Sequence, residues 1–161
     1  MRIPEGSWIL DHARPSLTLR AEVKGRPFTL TAPIDSADVT VGRDVTLTLS
    51  IGIDQVSAGN FLLDAALRGL LVSYGAHELQ FAGTGAAEAD PVLLGGVAKS
   101  GRVAVDLNLE LHAVHSDPRT VAIDVTGTAV FEDVDVPIPG VGSLDQLVLA
   151  VHARLDLIPA G

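Results

Sequence analysis

Three stretches of the chain alternate apolar and polar residues without a break: Val45–Ile53 (VTLTLSIGI), Val103–Leu111 (VAVDLNLEL) and Leu147–Leu157 (LVLAVHARLDL). Period two sends successive side chains to opposite faces, so each stretch predicts a β-strand with one continuous apolar face. Leu17–Val23 has the same rhythm, and Lys24-Gly25-Arg26-Pro27 reads as a turn into a short return strand, Phe28–Ala32. Pro33 is expected to interrupt that strand, with Ala37–Val41 resuming it and Gly42-Arg43-Asp44 turning into Val45–Ile53. Further on, Glu78–Ala82 reads as a short strand. Gly83–Lys99, rich in Gly and Ala and carrying Pro91, reads mostly as loop, with Val92-Leu93-Leu94 as a strand fragment at most. Arg102–Leu111 and Thr120–Val130 are strands joined by the turn signature His115-Ser116-Asp117-Pro118-Arg119. Glu132–Ser143, with Pro137, Pro139, Gly140 and Gly142, reads as loop, and Gln146–Ile158 as the closing strand.

The rhythm changes once. Phe61, Leu62, Ala65, Ala66 and Leu70 recur at helical spacing, which predicts one amphipathic helix around 57–72. Ser57 or Asn60 suits its N-cap, Asp64 and Arg68 stand four apart as an ion pair across one turn, and Gly69 weakens or ends it. Strands linked by local turns favour an antiparallel meander. A sheet with one apolar face has to curl into a barrel or pack as a sandwich, and closure also removes the exposed edges. The expected fold is all-β, one antiparallel domain over 1–161 with one helix, as a barrel or a sandwich.

Composition narrows the choice of core and partner. Of 161 residues 47% are hydrophobic and only 4% aromatic, so the core is built from Val, Leu, Ile and Ala. Cysteine is absent, which excludes disulfides, thiolate metal sites and a cysteine nucleophile. A net charge of −9 repels phosphate backbones and anionic lipid, so nucleic acid is not an expected partner. The opening MRIPEGSW lacks the apolar stretch of a secretory leader, and no run has the length of a membrane span. These features give a cytoplasmic location as the expectation.

Candidate chemistry is sparse. His112 and His115 have odd strand spacing, which opposes joint metal binding, and His77 and His152 are isolated. Asp133 and Asp135 share a face as a carboxylate pair, a pattern that acid–base chemistry, calcium or a solvated loop all produce. Ser57, Ser73 and Ser116 lack the context of a nucleophile elbow, and Gly83-Thr84-Gly85 has no lysine or helix after it. The expectation is therefore no enzyme, no metal and no cofactor. The positions expected to face the interior are Leu47, Leu49, Ile51, Val105, Leu107, Leu109, Ile123, Val125, Leu149 and Val151, with Phe61, Leu62 and Phe81 at a pocket mouth. An ordinary core accounts for the strand positions as well as a ligand does.

Thr48–Arg68 (TLSIGIDQVSAGNFLLDAALR) resembles the YceI-like family, whose members have an extended lipocalin-type barrel. Ala58-Gly59-Asn60 stands where the family has a Thr-Gly-Asn turn, and Asp64-Ala65-Ala66-Leu67-Arg68 where it has Asp-Ala-x-Leu-Arg. Trp8-Ile9-Leu10-Asp11 is similar to the family's opening, and Asp117-Pro118-Arg119-Thr120-Val121 to one of its hairpin turns. Departures are Ala66 in place of the family's His, Ala76-His77-Glu78-Leu79-Gln80-Phe81 in place of a Phe-Pro-x-Ile-x-Phe run, and Arg154-Leu155-Asp156-Leu157 at the end. The resemblance implies an eight-stranded barrel that binds, transports or sequesters an isoprenoid- or lipid-like molecule without catalysis. Such a barrel is just wide enough for its own side chains or one slim ligand. The alternative is a solid barrel that acts through its surface and oligomerisation, with a homodimer as one form.

Overall fold

The computed structural model describes residues 3–11, 15–23, 25–58, 64, 78–100, 103–136 and 142–160, with the side chains of 23, 26, 54, 103, 131–136 and 142–144 excepted. Among them nine strands follow one another: β1 (Gly6–Leu10), β2 (Ser16–Val23), β3 (Arg26–Val41), β4 (Asp44–Ile51), β5 (Leu79–Ala86), β6 (Val92–Ser100), β7 (Val103–Ser116), β8 (Val121–Val136) and β9 (Gly142–Pro159). A 3-10 turn at Ile53–Gln55 follows β4. All pairings are antiparallel, and the sheet closes on itself through β3–β4.

Nine strands make eight staves because β1 and β2 share one. β9 pairs with β1 through Leu157–Pro159 and with β2 through Ala150–Ala153. β3 in turn pairs with β1 near Val41 and with β2 between Arg26 and Pro33. The eight-stranded lipocalin-like barrel is therefore the observed architecture. The helix expected around 57–72 lies outside the described residues, apart from Ser57, Ala58 and Asp64. Asp64 accepts hydrogen bonds from the Ser57 hydroxyl at 3.1 Å and from the Ala58 amide; Arg68, its expected partner, is not described.

The alternating residues do what their spacing predicts. On β4, Val45, Leu47, Leu49 and Ile51 are buried while Thr46 and Thr48 are exposed. Leu107, Leu109 and Leu111 of β7, Val121, Ile123 and Val125 of β8, and Val151, Ala153, Leu155 and Leu157 of β9 join them in one core. Gly25, at φ 77°, takes the left-handed position of the β2–β3 turn that a residue with a Cβ rarely adopts.

Three loop expectations are corrected. Pro33 does not break its strand: β3 runs through it to Val41. Pro33 is the last β3 residue paired with β2, and on the opposite side the β3–β4 ladder starts only at Ile34, with a register shift between Ile34 and Ser36, so the missing N–H falls where both ladders end. Most of Gly83–Lys99 is not loop but the end of β5 and nearly all of β6, with the turn confined to 87–91. Gly83 faces Gly96 across that pair. A Cβ on Gly83 would meet the Phe81 ring at 2.6 Å, and one on Gly96 would meet it at 2.8 Å. The aromatic ring thus occupies the space the two glycines leave, which is how a glycine-rich stretch still makes a packed strand. Finally, Glu132–Ser143 is not wholly loop: β8 continues to Val136 and β9 starts at Gly142.

Candidate functional site

The two ends of the barrel differ. At the near end lie the start of β1, the end of β9 and the turns at 42–43, 87–91 and 117–120. Trp8 is buried there, and its indole N–H donates to the Pro4 carbonyl at 2.9 Å. The Ala160 amide bonds the Ser7 carbonyl and the Asp11 amide the Asp156 carbonyl, tying the chain ends together. Val41, Val45, Val92 and Leu111 pack around a cavity of about 10 Å³, which holds one water at most.

At the far end are the strand ends that lead into residues 24–25, 52–78, 101–102 and 137–141. Here the inward-facing apolar side chains are only half-buried: Leu19 of β2, Leu30 and Phe28 of β3, Leu79 of β5, Val105 of β7, and Leu147 and Leu149 of β9. Leu19, Leu79 and Leu149 still touch the main core. Two serines tie this rim together. The Glu78 carboxylate accepts from the Ser50 hydroxyl of β4, and the Ser100 hydroxyl of β6 donates to the Glu78 carbonyl at 2.8 Å. The Ser50 hydroxyl and then the Gln80 amide hold the Glu78 carboxyl below its usual range.

The sequence-derived interior residues divide along the same axis. Leu47, Leu49, Ile51, Leu107, Leu109, Ile123, Val125 and Val151 point inward and are buried against one another. Val105 and Leu149 point inward at the far end and remain half-buried. Phe81 is buried over Gly83 and Gly96. Phe61 and Leu62 are outside the described residues. The periodicity did not single out Phe28 and Leu30, which share the half-buried rim; their alternation was visible in Phe28–Ala32, but nothing in it separated core from rim.

A second feature of the far end concerns pairing. β9 pairs with β2 only up to Arg20↔Ala150, and β8 with β7 only up to Asn108↔Thr128. Beyond those points, among the described residues, Ala129–Val136 and Gly142–Leu149 pair only with each other. The β8–β9 hairpin therefore leaves the barrel wall as a two-stranded arm. A cleft lies at each side of its root. One, of about 420 Å³, is bordered by Arg20, Ala21, Glu22, Pro27, Phe28, Thr29, Val148 and Ala150. The other, of about 660 Å³, is bordered by Leu93, Gly95, Asn108, Glu110, Thr126, Gly127 and Thr128 among others.

The titratable residues sit on the outer wall in local pairs. His112 meets Glu110 at 3.2 Å, His115 meets Asp117 at 2.8 Å, and Arg154 meets Asp124 at 3.5 Å. His152 is 3.9 Å from Asp124. Asp117 is a turn acceptor. It takes the amides of Arg119 and Thr120 at 2.7 and 2.8 Å and the Thr120 hydroxyl at 3.0 Å. The Arg119 amide first, then His115 and Thr120, hold its carboxyl far below the ordinary range. Among the described residues no three His, Asp or Glu gather as a metal site. Asp133 and Asp135 lie on β8 and His77 is not described. Among the described residues no helix is long and apolar enough to cross a membrane.

Two solved structures share this architecture. The crystal structure of BcnA from Burkholderia cenocepacia matches with a TM-score of 0.59 at 9% identity, over 90% of this chain and 98% of that one. A polyisoprenoid binding domain from Saccharophagus degradans, implicated in plant cell wall breakdown, matches with a TM-score of 0.59 at 9% identity, over 94% of this chain and 98% of that one. No family model and no curated protein matches the chain. At such identity the likeness is one of fold, and it bears out the YceI-like barrel that the sequence resembles.

Proposed function

We infer that the barrel binds a hydrophobic, isoprenoid- or lipid-like small molecule without transforming it, and serves in its transport or sequestration. The observation that carries this reading is the uneven burial of one continuous apolar inner face. The near end is packed by its own side chains. At the far end Leu19, Phe28, Leu30, Leu79, Val105, Leu147 and Leu149 turn inward and stay half-buried. A buried chain gains roughly 0.8 kcal/mol per methylene, so a slim apolar ligand needs no strong polar grip on such a rim. A barrel of the same fold that binds a polyisoprenoid supports the choice of ligand class.

Titration of lipid-stripped protein with cis-parinaric acid, a fluorescent long-chain probe, tests the reading. Saturable binding is expected. Val105→Arg and Leu149→Arg are each expected to weaken it by about tenfold or more, because each buries a charge where the chain lies. Thr48→Arg on the exposed outer wall leaves it unchanged. Absence of saturable binding, or equal binding by all variants, contradicts the reading. The dense packing of the near end favours a second reading, a solid barrel acting through its surface. That reading predicts no probe binding and a specific oligomer in solution.

A further inference from the structure

We propose that the cleft between β2 and β9 is a lateral portal, through which a slim single-chain amphiphile passes between the staves into the far-end interior. The proposal rests on the binding function inferred above and adds the route and the residues that form it.

Three observations converge on this place. First, the β2–β9 ladder ends at Arg20↔Ala150, although both strands continue: Glu22 stands opposite Val148 with no pairing between them. A barrel wall is sealed by its ladder hydrogen bonds, so the point where a ladder stops between two continuing strands is a seam. Second, the cleft of about 420 Å³ lies on that seam, and residues of both faces border it. Arg20, Glu22, Val148 and Ala150 belong to the exposed outer face. Ala21 and Phe28 belong to the inward set that is half-buried at the far end. The cleft thus lies on the outer side of the seam and touches two residues of the inward set. Third, among the described residues the flanking strand of the arm, Gly142–Leu149, pairs with β8 alone.

The lining selects this seam over the one between β7 and β8. There the cleft is bordered by Leu93, Leu94 and Leu109 but also by Asn108, Glu110, Thr126 and Thr128, and these four polar groups are ones an apolar chain would have to desolvate. At the β2–β9 seam the chain slides past Ala21, Phe28, Val148 and Ala150, and Arg20 and Glu22 at the outer rim stay hydrated beside its polar head.

The absence of cysteine makes the test direct. Glu22→Cys with Val148→Cys, joined by a short bismaleimide, ties the seam across. Asp106→Cys with Val130→Cys, joined likewise, ties the β7–β8 seam for comparison. A third protein, Ala150→Trp, fills the cleft without cross-linking. Stopped-flow uptake of cis-parinaric acid is read for each, with far-ultraviolet circular dichroism to establish that the barrel is intact. The expected result is that tying Glu22→Cys to Val148→Cys, and Ala150→Trp, each slow association by about tenfold or more, while the β7–β8 tie does not. Uptake at the unmodified rate through the tied β2–β9 seam, or a block only by the β7–β8 tie, overturns the portal while leaving the binding function standing. No uptake even by the unmodified protein overturns the binding function and the portal with it.

Discussion

Single side chains decide whether the glycine-rich part of the sheet holds. Phe81 lies over Gly83 and Gly96, and a Cβ on Gly96 would collide with the Ala82 carbonyl and come to 2.7 Å from the Gly83 Cα. Those neighbours are backbone and cannot swing aside. Gly96→Ala is therefore expected to cost about 1–3 kcal/mol in urea unfolding. Phe81→Ala, which empties the same space, costs about 3–5 kcal/mol. Neither cost was legible in the sequence, where Gly and Ala between residues 83 and 99 looked like loop. Glycine reads as loop when counted singly; here Gly83 and Gly96 face each other across the strand pair and the ring of Phe81, two residues before Gly83 on β5, fills the space over both, a relation visible only once the register is known. Asp117 makes the opposite point, since its turn was read from Asp-Pro-Arg alone and is present. Its folded pKa lies below its unfolded value, so its contribution is complete above the unfolded pKa of roughly 4 and is lost as pH falls toward the folded one. Asp117→Asn is expected to lower stability at neutral pH, with the gap to the parent protein narrowing as unfolding is repeated below about pH 4. A constant gap from neutral to acid would contradict that account.

Strands were legible wherever alternation was strict, as on β4, β7 and β9, because period two survives any change of tertiary context. Their lengths were less so. The extension of β8 to Val136 and the start of β9 at Gly142 were hidden by Pro137, Pro139, Gly140 and Gly142, which punctuate the connection but do not shorten both strands. The arm these extensions form was invisible for the same reason: nothing in a single strand's pattern says that its neighbour stops pairing. Native-state hydrogen exchange should see it. Amides of Val130 and of Leu147–Leu149 are expected to exchange at least about a hundredfold faster than those of Ile123–Val125 and Val151–Ala153, which lie in ladders flanked on both sides. Equal protection along the whole of β8 and β9 would mean that the arm is held as firmly as the barrel wall. The helical spacing at 57–72 reached the structure only through Ser57, Ala58 and Asp64, so its part at the far end follows from chain connectivity alone.

The molecule as a whole is a closed tube with one end filled and the other lined by apolar groups that its described residues half cover. The residues alone called for a barrel or a sandwich, because a one-sided greasy sheet has no stable flat form in water, and the YceI-like resemblance pointed to the barrel. The uneven filling was not, because core and rim residues carry the same letters: Leu109 and Leu149 differ only in how far along the tube their strands place them. That difference is what the proposed binding function rests on. Its most direct test is mass spectrometry of an organic extract of the intact protein, purified from its native source without detergent. The account predicts one class of isoprenoid or other long-chain lipid at near-equimolar amount, lost in parallel from Val105→Arg and Leu149→Arg. Extracts free of such lipid, from a protein that also fails to take up a long-chain probe once stripped, would contradict it.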